Sequence, residues 1–313
     1  MAQWLDQVIS EERLLHPGHS ACAGCAPAIN VRHVLDEIAE ASPGSKIVLV
    51  IPSSCWTIIA GIYPVNAFGV AVHLTPFASG APEASGIKAA LRLQGDEDTQ
   101  VVVWGGDGGT CDIGFAGVSA AAERNEDLIY VLNDNEAYMN TGVQKSGATP
   151  EGAWTTTTPS TAPRSGLKKD MARIMAAHGI PYVATLAAGS VPMLKDFRAK
   201  VARAAELRGF RFLHVLGACP PGWKYPTDQS VEVARLAVES KYFPLVAYDE
   251  KRWKITFRPK HPVPVSEFLE TQGRFRHLTS EQIELIQSHV DERWELLESL
   301  ESHGAEKKIG VLA

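Results

Sequence analysis

Two short stretches decide the fold: QVVVWGGDGG at residues 100–109 and LIYVLNDNEAY at residues 128–138. Each opens with an apolar run too brief for a helix, and the first ends in glycines, the second in a polar cluster. Between them residues 113–124 are rich in alanine and read as helical. Strand, glycine turn and helix in this order predict parallel strands joined by helices. Working outward, residues 28–41 carry Ile29, Val31, Val34, Leu35 and Ile38 at helical spacing. A strand at 46–51 and a helix at 85–93 follow. After a long polar stretch, 141–169, come helix 169–178, strand 182–185, helix 191–206 and strand 211–216. All of this extends one doubly wound, mostly parallel α/β sheet. Residues 1–230 are therefore expected to form the ligand-binding domain. Residues 231–313 contain a helix at 231–239, a proline-rich segment at 253–264 and a charged amphipathic helix at 281–302. They predict an extended C-terminal tail packed on the core or on a partner.

Composition narrows the function classes. The 313 residues are 45% hydrophobic and 21% charged, enough to bury a substantial core. No apolar run is long enough to span a bilayer. A net charge of −6, with scattered basic residues, offers no stripe for a nucleic-acid backbone. The first fifteen residues lack the basic start and apolar stretch of a secretory signal, so a cytoplasmic protein is expected. Five cysteines, Cys22, Cys25, Cys55, Cys111 and Cys219, make an odd number, and thiolate ligation of a metal is a better expectation than a disulfide framework.

In a doubly wound sheet, neighbouring strand ends meet at the carboxyl edge, where ligands bind. Gly106, Gly108 and Gly109 let the backbone approach a pyrophosphate, Asp107 offers a hard oxygen to Mg²⁺, and Asn135 offers another from the adjoining loop. This pairing resembles the thiamine diphosphate motif, which opens with GDG and closes on asparagines about thirty residues later. The resemblance implies Mg²⁺ held by Asp107, Asn135 and the backbone oxygen of Ala137. The continuation EAYMNTGVQKSGATP is similar to the pyruvate (2-oxoacid):ferredoxin oxidoreductase family. By that likeness Asn140 sits near the reactive carbon of the cofactor, with Thr141 beside it.

Cys22 and Cys25 form a CxxC, a spacing shared by redox dithiols, zinc sites and iron–sulfur sites. Cys55 and Cys219 are isolated, each in a loop after a strand. The family likeness implies that Cys22, Cys25, Cys55 and Cys219 together hold one [4Fe–4S] cluster. Cys111 reads as a buried small hydrophobe and Asp112 as a helix cap. His73, His178 and His214 read as structural, whereas His19 lies beside the cluster motif.

The likeness runs from PGHSACAGC through CPPGW to TQGRFRHL, nearly the whole chain, and fits the β subunit of the multi-subunit enzymes. Ala26 and Cys111 depart from the residues common in the family. The implied activity is oxidative decarboxylation of a 2-oxoacid, pyruvate to acetyl-CoA and CO₂, with electrons passed to ferredoxin. Other subunits are expected to supply the activating glutamate and further clusters, so the chain is catalytic only in their complex. An oxalate oxidoreductase needing no coenzyme A, a non-redox thiamine enzyme and a plain iron–sulfur electron-transfer subunit are the competing readings. The last fits poorly, because ferredoxin-like chains bunch their cysteines.

Overall fold

The computed structural model describes residues 14–61 and 65–303. The N-terminal arm expected from the sequence lies outside the described residues up to Leu14. The strands are β1 (Ile47–Pro52), β2 (Ala71–Thr75), β3 (Gln100–Gly106), β4 (Leu128–Asp134), β5 (Tyr182–Leu186), β6 (Phe210–Leu216), β7 (Leu245–Asp249) and β8 (Arg252–Phe257). They form one sheet in the order β2-β1-β3-β4-β6-β5-β7-β8. The first six are parallel, while β7 pairs antiparallel with β5 and β8 with β7.

Helices cover both faces, which is why the central strands read as continuous apolar runs. In β3, Val102 and Trp104 pack beneath α1 (Ala26–Ala41), whose Val34, Leu35 and Ile38 join the same cluster. Val101 and Val103 point the other way, into Ala84 of α3 (Gly80–Leu93) and Val118 and Ala121 of α4 (Phe115–Glu123). α2 (Trp56–Ile59) is a single turn after β1, and its Trp56 meets Trp104 edge-on at 6.2 Å. Truncating fully buried Trp104 to alanine would cost about 3–5 kcal/mol.

Several boundaries moved for local reasons. α3 begins at Gly80, not near residue 85, since Pro82 is tolerated in a first turn. α5 (Met171–Ala177) starts after Asp170, whose carboxylate accepts from the Arg173 amide at 3.2 Å. The helix expected from residue 113 is preceded by a π-helical turn, Gly108–Ile113. Asp112 is no cap: it accepts from the Gly147 amide at 2.8 Å and the Tyr138 hydroxyl at 3.1 Å, tying the glycine turn to the polar stretch. Cys111 is buried in the sheet–helix core. β2 was not anticipated, because its mostly exposed edge lacks the apolar run of an interior strand.

After α6 (Val191–Glu206), α7 (Pro220–Trp223) and α8 (Ser230–Glu239), the C-terminal segment differs from a mere tail. Its β7–β8 hairpin lengthens the sheet, with Val183 opposite Tyr248. α9 (Val265–Glu270) and α10 (Ser280–His303) then close a further core, where Ile286 and Val290 meet Phe243 and Phe268. No helix among the described residues is long and apolar enough to cross a membrane. The chain leaves β1 toward β2 on one side and reaches β3 on the other. A crevice opens where the strand order reverses, at the carboxyl ends of β1 and β3.

Candidate active site

Ser53, Ser54 and Cys55 leave β1, and Gly106 to Gly109 leave β3, so both line the crevice. Asn133, Asn135, Ala137, Tyr138, Met139, Asn140 and Thr141 complete its wall. The expected pyrophosphate and metal residues are thus brought together with the expected mouth residues. Glycine is required at position 108, because a Cβ there would stand 2.2 Å from the Tyr138 ring. That ring donates its hydroxyl to Gly108 O at 3.1 Å.

Asp107 is buried, and Ser146 Oγ donates to its carboxylate. As placed, Asn135 Oδ1 faces Asp107 Oδ1 at 3.0 Å and Ala137 O at 2.8 Å; with the amide turned, its nitrogen would donate to both. The backbone oxygen of Asn135 accepts from Trp223 Nε1 at 2.8 Å, anchoring the loop. Asn133 Oδ1 is also buried and has no hydrogen-bond partner. Burial and the neighbouring Asp134 charge push the Asp107 carboxyl well above its ordinary range.

Behind this loop lies a charge network that sequence patterning did not indicate. Asp134 faces His214 Nε2 at 2.7 Å and Lys168 Nζ at 3.7 Å, while Lys168 stands 2.6 Å from Glu136. The other oxygen of Glu136 accepts from Arg274 at 2.6 Å. Burial opposes ionisation of Asp134, yet Lys168 and His214 hold its carboxyl below the usual value. Glu136 adopts φ 65°, a left-handed conformation unusual for a side chain, and the network holds it there. Lys168 and Arg274 lie far from the glycine turn in sequence, and no periodicity marks them.

The cysteines converge on the same edge. Cys25 N donates to Cys22 O at 3.1 Å around Gly24, which has φ 71° and whose Cβ would meet Thr227 O at 1.9 Å. Only glycine fits that turn. Ala26 N donates to Ala218 O at 3.3 Å, joining the CxxC turn to the loop carrying Cys219. Cys55 Sγ donates to Asn140 Oδ1 at 3.2 Å. Burial pushes the thiol of Cys25 up to about 11 and those of Cys55 and Cys219 up to about 12. Cys22 adds to that rise at all three, so the four thiols lie within electrostatic reach of one another. Among the described residues, no group of three or more His, Cys, Asp or Glu side chains is gathered as a single-ion site. His19 Nδ1 accepts from the Ala21 amide at 3.4 Å, a contact within its own loop.

Around the mouth, Thr141 Oγ1 donates to Gln144 Oε1 and Gln144 Nε2 to Thr141 O, both at 2.6 Å. A backbone bridge between Tyr138 and Gln144 closes this loop. Ser146 and Gln144 belong to the quoted NTGVQKS run, which was the available signal for them.

Residues 55–215 match the family described as thiamine pyrophosphate enzyme, C-terminal TPP binding domain. Ketoisovalerate oxidoreductase subunit VorB of Pyrococcus furiosus is 43% identical over 300 residues, covering 92% of this chain and 94% of the relative. Pyruvate synthase subunit PorB of Methanocaldococcus jannaschii is 44% identical over 296 residues, covering 91% and 97%. The solved 2-oxoglutarate:ferredoxin oxidoreductase from Magnetococcus marinus, bound to 2-oxoglutarate, coenzyme A and succinyl-CoA, shares the fold with TM-score 0.54. It is 20% identical, over 92% of this chain and 88% of that one. With this fold and crevice, the chain belongs to the thiamine pyrophosphate-binding subunits of the 2-oxoacid:ferredoxin oxidoreductases, the family of PorB and VorB.

Proposed function

We propose that this chain holds thiamine diphosphate, Mg²⁺ and one [4Fe–4S] cluster in a cytoplasmic 2-oxoacid:ferredoxin oxidoreductase complex acting on pyruvate. The observation that carries the Mg²⁺ reading is the convergence, within 3.0 Å, of the Asn135 side-chain amide on the Asp107 carboxylate and the Ala137 carbonyl, an amide free to turn its oxygen to an ion. An octahedral ion with bonds of about 2.0–2.1 Å sets neighbouring oxygens about 2.9 Å apart. One carboxylate, one amide and one carbonyl make a hard oxygen set with a single acidic side chain, which suits an ion that also takes phosphate oxygens and water.

For the cluster, three half-buried thiols, Cys25, Cys55 and Cys219, with the exposed Cys22 within electrostatic reach of each, support the reading. Cluster ligands bind separate irons, so they need not converge as single-ion ligands do. Ligation would remove thiol protons that burial otherwise retains.

When bound, thiamine diphosphate supplies the electron sink for decarboxylation. The chain's residues do the positioning. Gly106 to Gly109 would cradle the phosphates, Asp107 and Asn135 would hold the ion, and Tyr138 keeps the glycine turn closed. Asn140 and Thr141 stand at the mouth, where Asn140 orients a polar group of the substrate and Thr141, locked by Gln144, holds the loop. The activating glutamate is expected from another subunit, since Glu136 is engaged by Lys168 and Arg274. Residues 1–230 carry the cofactor residues, and the described part of 231–313 packs α10 against the core behind them.

The test is iron, acid-labile sulfide and thiamine analysis of the anaerobically purified complex, with ferredoxin reduction assayed on several acids with and without coenzyme A. Four irons for each copy of this chain, in addition to those of the further clusters on other subunits, with pyruvate- and coenzyme A-dependent reduction, are expected. Preference for ketoisovalerate, the substrate in the name of one relative, would reassign the oxoacid. Reduction by oxalate without coenzyme A would favour the oxalate reading, and zinc in place of iron would overturn the cluster.

A further inference from the structure

A second cavity, of about 310 Å³, lies on the far side of the charge network, between α5, the ends of β5 and β6, and three turns of α10. It shares no lining residue with the thiamine crevice. Phe243, Val246, Val290 and Leu297 give it an apolar wall. An engineered apolar cavity of about 150 Å³ already accepts benzene, so there is room here for a larger body.

The wall also carries a cation that Asp170 and Glu136 favour only from a distance. Arg293 Nη2 donates to the carbonyl oxygens of Tyr242 and Lys241. Its Nε is buried without a hydrogen-bond partner, and among the described residues no carboxylate forms an ion pair with the guanidinium. The other charges of the wall are accounted for. Lys168 is matched by Glu136, Lys169 by Asp112, Arg173 by Asp170 and His289 by Glu151. Glu292 is exposed. A half-buried guanidinium whose Nε is shielded from water and unpartnered gains from a counter-anion, and a carboxylate matches its planar fork.

We infer that this cavity is a binding site for an amphipathic monocarboxylate, a branched or aryl body in the apolar pocket with its carboxylate on Arg293. Neither a bare small anion nor an uncharged apolar molecule satisfies both halves of the site. The chemistry is separate from that of the thiamine crevice, so failure of either reading leaves the other standing.

Calorimetry on the intact complex, with phenylacetate as probe and Trp253 fluorescence as a second readout, tests it, because Trp253 lines the cavity. Saturable binding of one phenylacetate per chain is expected. Acetate, which lacks the body, and benzyl alcohol, which lacks the charge, should each bind at least tenfold more weakly. Arg293→Gln should weaken phenylacetate at least tenfold while leaving benzyl alcohol unchanged. Val290→Trp, which fills the cavity, should abolish binding of both with the circular dichroism spectrum retained. Absence of saturable phenylacetate binding would overturn the inference, as would equal binding by Arg293→Gln or, should that variant fail to fold, by Val290→Trp.

Discussion

Cys55 Sγ lies 3.2 Å from Asn140 Oδ1, so the cysteine that leaves β1 is hydrogen-bonded to the asparagine of the mouth loop. A residue expected beside the reacting centre and one expected at the cluster thus share a contact across 85 positions of sequence. Asn140→Ala should therefore retain thiamine and iron, yet lower kcat about tenfold or more, as steady-state kinetics with cofactor analysis would reveal. Loss of thiamine from this variant would show that Asn140 serves the fold of the loop.

Asp107 is a buried carboxyl beside Asp134, and both burial and that neighbour disfavour its charge. Asp107→Asn should make the cofactor-free protein more stable by about 1–2 kcal/mol, because an acid costly to bury becomes a neutral amide. The same change should lower thiamine diphosphate affinity at least tenfold by removing the anionic oxygen. Thermal melts with and without Mg²⁺ and cofactor would read both effects, and a stabilised variant that still binds normally would contradict the assigned role.

Glu136 is the common partner of half-buried Lys168 and buried Arg274, and is itself buried. Replacing it with leucine leaves Arg274 without its acid and Lys168 with only the more distant Asp134, a loss of about 3–5 kcal/mol. Urea denaturation should show the full cost for Glu136→Leu and a smaller one when Arg274→Met is combined with it, since the two sites are in contact.

Cys111 and Cys219 should separate cleanly. Cys219→Ala is expected to remove the four irons of this chain's cluster, whereas Cys111→Ala, deep in the sheet–helix core, should keep them and lose only about 1 kcal/mol of stability. Iron and sulfide content of the two purified variants decides this.

His33, on α1, lies against the edge of Phe197 at 6.3 Å, and burial, Arg198 and Arg32 together push its pKa down to about 4. The unfolded chain then binds the extra proton between pH about 6.5 and about 4, so stability falls as pH is lowered through that window. Allowing for partial exposure, the loss is about 1–2 kcal/mol. His33→Phe should flatten that part of the pH–stability curve, and an unchanged curve would assign the acid sensitivity elsewhere.

The sequence alone determined the parallel core, because burial on both faces writes itself as uninterrupted runs such as QVVVW, and glycines mark where a backbone must come close. It also named Asp107, Asn135 and Asn140 of the crevice, since each lies in a compact local motif. The β7–β8 hairpin, the π-helical turn and the true partners of Asp112 were not legible, for each depends on an edge or loop meeting a distant neighbour. Only the tertiary structure decided the network of Asp134, Glu136, Lys168, His214 and Arg274, and the unpaired Arg293 beyond it. Charge compensation in a buried site is set by distance in space, and nothing in residue type or periodicity encodes which carboxylate a given cation will meet.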